Sequence, residues 1–258
     1  MSSFDLAVCA EMVFTDLPLI ERVRRIHDLG LGVEIWSFHD KDLDALAATG
    51  ARFSSMTGYL HGDLWDPEGA CEVVRTAEAA IKAAAVLGIP RLVVHPGELV
   101  DGQAARPRFR STGPMWLSAQ RGLEALGDLG ASAGVTFCLE NLNTIVDHPG
   151  VPLARAKDTL ALVESVDHPH VKMMLDLYHA QIGEGNLIEL VRRCGEAIGE
   201  IQVADVPGRC EPGTGEINYR AVAQALRDCG FRGPVGMEAF AVGDSVAALE
   251  AFRAAFTD

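Results

Sequence analysis

Four oxygen-bearing side chains stand at the ends of apolar runs in the second half of the chain. Glu140 closes VTFCLE, Asp176 closes VKMMLD, Gln202 sits in EIQVAD and Glu238 in VGMEAF. If each run is a strand, alternate residues share a face. Val135, Phe137 and Leu139 then oppose Glu140, and Val171, Met173 and Leu175 oppose Asp176. By the same rule Ile201 and Val203 oppose Gln202, and Val235 and Met237 oppose Glu238. Three carboxylates and an amide converging at one end of a set of strands repel one another and raise one another's pKa unless a cation offsets them. Hard oxygen ligands suit magnesium or manganese better than copper or thiolate-bound zinc. Taken singly, a strand-end Glu or Asp is more often a helix cap or an ion-pair partner; four in phase on successive runs favour the metal.

Such a cation has a definite chemistry to offer. Moving a carbonyl between adjacent carbons means removing a weakly acidic proton and stabilising an enediolate, and a divalent ion on the substrate oxygens lowers that barrier. Glu140 and Glu238 stand where a base and an acid are needed; which is which stays open, because the two would titrate together. His179, three residues after Asp176, offers a neutral imidazole to a substrate oxygen, or else bonds a backbone carbonyl as a loop residue. Arg209, in the PGR turn after Gln202, either clamps a substrate carboxylate with paired N–H donors or is an exposed loop residue. Glu34 and His95 have the same inward parity and line the other half of the pocket on this reading. RPRFRS, Arg106 to Ser111, is a flap over an anionic substrate or a solvated loop. Trp36, Trp65 and Trp116 read as packing residues, one of them available to cover the substrate.

Positioning these groups requires a regular scaffold, and the chain supplies one. Eight short apolar runs begin at Phe4, Gly32, Ala51, Arg91, Val135, Val171, Ile198 and Gly233. Between them lie segments of helical period, among them PLIERVRRIHDLG, EVVRTAEAAIKAAAVLG, WLSAQRGLEALGDLGASAG, NLIELVRRCG and NYRAVAQALRDCG, which commonly close on Gly. Eight strand-then-helix units predict a single (β/α)8 TIM barrel. The competing open, doubly wound sheet lacks a GxGxxG phosphate loop in its first βα turn.

Composition narrows the class further. Of 258 residues, 22 are Lys or Arg and 36 Asp or Glu, a formal charge of −14 with no basic stripe, which argues against nucleic acid and against an anionic membrane as partner. Six Cys without a CxxC pair read as free thiols. No N-terminal targeting pattern and no run of about 18 apolar residues is present, so a cytoplasmic protein acting on a small molecule is expected. The sequence is compatible with a homo-oligomer.

At LENLN, MLDLYHAQ, IQVADVPGRCEPGTGEINY and GMEAF the chain resembles the xylose-isomerase-like barrel superfamily and, within it, the hydroxypyruvate isomerase family. The likeness runs in order over essentially the whole chain, residues 1–258, as one barrel domain. It implies one divalent cation, Mg or Mn, held by Glu140, Asp176, Gln202 and Glu238. It also implies proton exchange by the two glutamates, and substrate contact by His179. The motif that opens with Glu140 reads ENLN where many relatives carry a Pro nearby, a departure that bears on substrate rather than metal. The expected reaction interconverts hydroxypyruvate, or a related 2-oxo sugar acid, with its semialdehyde. A ketose 3-epimerase using the same ring, and a barrel that binds a metal or sugar acid without catalysis, are the alternatives. The superfamily's DNA-repair endonuclease branch fits poorly with the acidic balance and the scarcity of His at strand ends.

Overall fold

A computed structural model describes residues 4–257. All eight apolar runs form strands: β1 (Asp5–Cys9), β2 (Gly32–Ile35), β3 (Phe53–Thr57), β4 (Arg91–Val94), β7 (Thr136–Glu140), β8 (Val171–Asp176), β9 (Ile198–Val203) and β10 (Pro234–Met237). They pair in parallel and close into a barrel in the order β1-β10-β9-β8-β7-β4-β3-β2. The short antiparallel hairpin β5 (Leu99–Val100) and β6 (Gln103–Ala104) is inserted after β4. No periodic signal marks it, because two-residue strands are too short to show one.

Helices α1 (Leu19–Asp28), α2 (Leu43–Ala47), α3 (Pro67–Leu87), α4 (Gly113–Ala133) and α5 (Ala156–Val166) lie in the first two thirds of the chain. They are followed by α6 (Leu177–Gly183), α7 (Leu187–Cys194), α8 (Tyr219–Asp228) and α9 (Ser245–Phe256). Local chemistry sets their ends. Asp66 caps α3 by accepting from Gly69 N, Pro67 occupies the first helical turn, and Gly88 at φ 68° stops the helix in the left-handed conformation.

Strand parity divides the core in two. Phe137, Leu139, Met173, Leu175, Ile201, Val203, Val235 and Met237 pack outward in the large cluster shared with the helices, as the alternation predicts. Inside the barrel Val93, Cys138 and Met174 form a small separate apolar layer. The rest of the interior is polar: buried Glu200 accepts from Ser55 Oγ at 2.8 Å and lies 3.3 Å from Arg91 Nε. The six cysteines are free. Among the described residues no helix is long and apolar enough to cross a membrane.

Candidate active site

A cavity of about 690 Å³ opens where the barrel strands end, and Glu34, His95, Glu140, His179, Gln202, Arg209 and Glu238 all contribute to its wall. Seven of the eight residues singled out in the sequence therefore meet in one place. The eighth, Asp176, is buried beside them. Parallel β-barrels gather groups in this way because every strand delivers its last inward side chain to the same end.

Asp176 ends β8 and starts α6, its Oδ1 accepting from His179 N at 2.6 Å. His179 is thus on the first turn of a helix, so the loop alternative for that residue does not hold. Burial, then the neighbouring Glu140, push the Asp176 carboxyl well above the usual carboxylate range. The pair Asn141 and Asp176 locks β7 to β8: Asn141 Nδ2 donates to Asp176 O at 2.9 Å and Asp176 N donates to Asn141 Oδ1 at 3.0 Å. Glu140, Asp176 and His179 bring one ligand-type atom each to within 4.8 Å of one another.

Gln202 faces Asp176 across the β8–β9 ladder. Its Nε2 donates to Glu34 Oε2 at 2.8 Å, which leaves Gln202 Oε1 a buried acceptor with no donor. Two carboxylates, an amide oxygen and no buried donor for that oxygen are what a divalent cation would complete, so the residues fit the group that the sequence implies. Glu34 itself is pushed well up, first by burial and then by Glu200. Gly236 makes its place: a Cβ there would overlap the Glu34 carboxylate.

Glu238 lies outside the 4.8 Å cluster. Trp36 Nε1 donates to its Oε1 at 2.6 Å and Arg209 Nη2 to its Oε2 at 2.8 Å. Burial raises the Glu238 carboxyl while Arg209 pulls it down. Arg209 is therefore neither a free carboxylate clamp nor an exposed loop residue; it stacks over Tyr178 at 5.2 Å and holds a glutamate. Trp36, 48% exposed, is likewise more than packing. Trp65 does pack, beneath the guanidinium groups of Arg106 and Arg108 at 4.7 and 4.9 Å, and Trp116 is half-buried against the core.

His95 Nε2 is 3.0 Å from Glu140 Oε2, and the buried Tyr59 Oη is 3.0 Å from His95 Nδ1. Glu140 is held on one oxygen by this chain of contacts. His179 Nε2 approaches the other at 3.9 Å. The His179 imidazole is kept neutral, first by burial and then by the Arg209 charge, its pKa falling well below the ordinary value.

The segment 106–111 does not cover this cavity. Arg106 is pinned to Asp63 and Asp66 at 2.7 and 2.9 Å, and Arg108 to Ser111 line a separate cavity of about 200 Å³. The polar loop after Gln202 has its own organiser: buried Asp205 accepts from Val206 N, Ile217 N and Gly213 N at 2.9 to 3.0 Å. This side chain turns the chain back and delivers Arg209 to Glu238.

A family model described as xylose isomerase-like TIM barrel matches residues 20–255. The chain belongs to that family. Among curated proteins, the chain is 32% identical over 177 residues to the putative hydroxypyruvate isomerase of Homo sapiens, covering 68% of this chain and 63% of that one. It therefore spans a little under two thirds of that relative's length. It is 28% identical over 254 residues to the 2-oxo-tetronate isomerase of Haemophilus influenzae, covering 94% of this chain and 95% of that one. The crystal structure of AP endonuclease, family 2, from Brucella melitensis superposes with a TM-score of 0.81 at 27% identity over the whole of both chains.

Tyr59, Asp205 and Asn143, the last 2.7 Å from His179 Nδ1, are parts of the site to which the sequence assigns no role. The bond from Trp36 to Glu238 is absent from its reading as a packing or covering residue. Asn143 was within reach, since it lies in the quoted LENLN three residues after Glu140. Tyr59 and Trp36 carry no such signal, because their partners are distant in the chain.

Proposed function

We propose that this xylose isomerase-like barrel is a divalent-metal-dependent isomerase of short 2-oxo sugar acids, interconverting hydroxypyruvate or a close relative with the corresponding semialdehyde. The observation that carries the reading is the placing of Glu140 and Glu238 on one cavity from strands separated by β8 and β9, with Asp176 and Gln202 between them. The relatives named as isomerases of hydroxypyruvate and 2-oxo-tetronate support it.

In the forward direction one glutamate takes a proton from the hydroxymethyl carbon, and the electron pair released forms the carbon–carbon double bond of an enediolate. The other glutamate returns a proton to the former ketone carbon, while the hydroxyl proton passes from one oxygen to its neighbour, so the product is an isomer with no redox partner. A magnesium or manganese ion bound by Glu140, Asp176, Gln202 and Glu238 would supply charge stabilisation for the developing enediolate. For Glu238 to join that set, it exchanges its contact with Arg209 or Trp36 for the ion. Arg209, once released from Glu238, is the one Lys or Arg among the described residues of the cavity wall available to a substrate carboxylate. His95 and Tyr59 hold Glu140 in place for its proton transfer.

The test is incubation of purified protein and Mg or Mn with hydroxypyruvate, 2-oxo-tetronate and free ketoses, products being followed by NMR. Conversion of the oxo acids supports the proposal, and inertness toward all of them overturns it. The second reading, a ketose 3-epimerase, draws support from a cavity much roomier than a three-carbon acid requires and from the pairing of its one arginine. Epimerisation of a ketose with no turnover of oxo acids would establish it. The formal charge of −14 supports a small substrate over nucleic acid.

A further inference from the structure

We propose that Asn143 fixes His179 as the tautomer protonated on Nε2, making His179 a hydrogen-bond donor to a substrate oxygen and removing it from the set of metal ligands. The donor role rests on the isomerase reading above; the tautomer does not.

The amide orientation comes first. Asn143 Oδ1 accepts from Val146 N at 2.9 Å and from Asp147 N at 3.1 Å, two backbone donors that only the oxygen can satisfy. Nδ2 must then occupy the other position, where it donates to Asp147 Oδ2 at 2.5 Å and lies 2.7 Å from His179 Nδ1. An amide nitrogen has no lone pair to accept with, so a proton on His179 Nδ1 would set two donors against each other at that distance. With Nδ1 unprotonated and accepting from Asn143, the imidazole carries its proton on Nε2.

Burial makes the arrangement hard to escape. His179 is 1% exposed, with the Tyr178 and His148 rings edge-on to it at 5.2 and 5.0 Å. With Nδ1 accepting from Asn143 and Nε2 protonated, the imidazole has no in-plane lone pair left for a cation. Proximity alone places it with Glu140 and Asp176 as a metal triad. The hydrogen-bond network separates it from them. The 3.9 Å between Nε2 and Glu140 Oε1 is beyond hydrogen-bond reach and leaves that N–H free to serve a substrate oxygen next to the proton-transferring carboxylate. Asn143 is thus a positioning residue that acts through His179.

Protein labelled with ¹⁵N-histidine, with long-range ¹H–¹⁵N correlation and His179→Gln to assign the resonance, reads the tautomer directly without any activity assay. The expected result is a neutral Nε2–H ring that keeps its pattern on saturation with Mg. A proton on Nδ1, or a shift of Nε2 to a ligated form with Mg, overturns the proposal. Asn143→Asp keeps both backbone contacts at Oδ1 but replaces the donor with an acceptor; combining it with Asp147→Asn relieves the new carboxylate pair. That double variant is expected to move the proton to Nδ1 and to lower kcat by roughly 10² to 10⁴-fold, as wrong-tautomer variants of other enzymes do, with Mg affinity not weakened. A double variant that still shows Nε2–H removes Asn143 from the explanation, and one with the proton moved but kcat intact overturns the donor role. A wild-type protein that is inert toward oxo acids yet shows the Nε2–H ring would sink the isomerase reading and the donor role that rests on it, and leave the tautomer standing.

Discussion

Arg209 and Glu238 form an ion pair of 2.8 Å across the mouth of the barrel, joining the loop after β9 to the end of β10. Burial pushes the Glu238 carboxyl up, and the guanidinium opposes that rise without cancelling it. Arg209→Met should lower kcat/KM by about 10²-fold or more and reduce thermal stability, since truncating one partner of such a pair costs about 2–5 kcal/mol. Arg209→Lys should recover only part of the loss. Steady-state kinetics and thermal melts check this, and a Met variant with wild-type turnover would remove Arg209 from the site's machinery.

Glu140→Gln and Glu238→Gln should each lower turnover by roughly 10² to 10⁴-fold while leaving the circular dichroism spectrum unchanged. The pair can be told apart by running the reaction in heavy water. The variant that lacks the base should incorporate no solvent deuterium into recovered substrate, whereas the variant that lacks only the acid should still exchange. Equal exchange in both would defeat the division of labour between two glutamates.

Asp176 predicts how stability should follow pH. Its carboxyl is pushed up by burial and by Glu140, with Arg209 opposing, Glu238 adding to the rise and His179 N–H bonded to it. Between the ordinary carboxylate range and the raised value, the folded chain holds a proton that the unfolded chain has released. The metal-free fold therefore loses stability as pH climbs through that window and does not regain it above. Mn or Mg competes with the same proton, so the rise in Tm on adding metal should be larger at about pH 8 than at about pH 5. Calorimetry with and without chelator measures it, and Asp176→Asn should flatten the difference. A metal increment that is largest in acid would contradict the assignment.

Gly236→Ala should destabilise by about 1–3 kcal/mol through overpacking, because the new methyl meets the Glu34 carboxylate. Glu34→Ala in the same chain should relieve the clash, so the double variant should be more stable than the two single changes add up to. Chemical denaturation of the four proteins completes the cycle. Strict additivity would show that the two residues do not touch.

Much of this architecture can be read from the chain. Strand alternation at 137–140 and 173–176 places Glu140 and Asp176 inside the barrel, and the structure puts Phe137, Leu139, Met173 and Leu175 on the opposite side as required. Parity reports which face a side chain leaves from, however, not how far it reaches or what it meets. Hence Glu238 carries the inward parity yet falls outside the group formed by Glu140, Asp176 and His179, its two oxygens taken by Trp36 and Arg209. The Arg209 pairing depends on where the loop lands, which Asp205 decides through three backbone N–H groups. Contacts of this kind join residues far apart in sequence, and no local pattern announces them. His179 illustrates the other limit: α6 spans only Leu177–Gly183, too short for a helical period to be distinguished from a loop.

Asp176 is the last residue of a strand and the anchor of the helix that follows, with one oxygen already given to His179 N–H. A cation in the neighbouring space would draw on the oxygen that remains, and loading should then be felt in the first turn of α6. The backbone amide of His179 becomes a natural reporter: its solvent exchange should slow when the site is loaded, giving the barrel a built-in gauge of its own readiness.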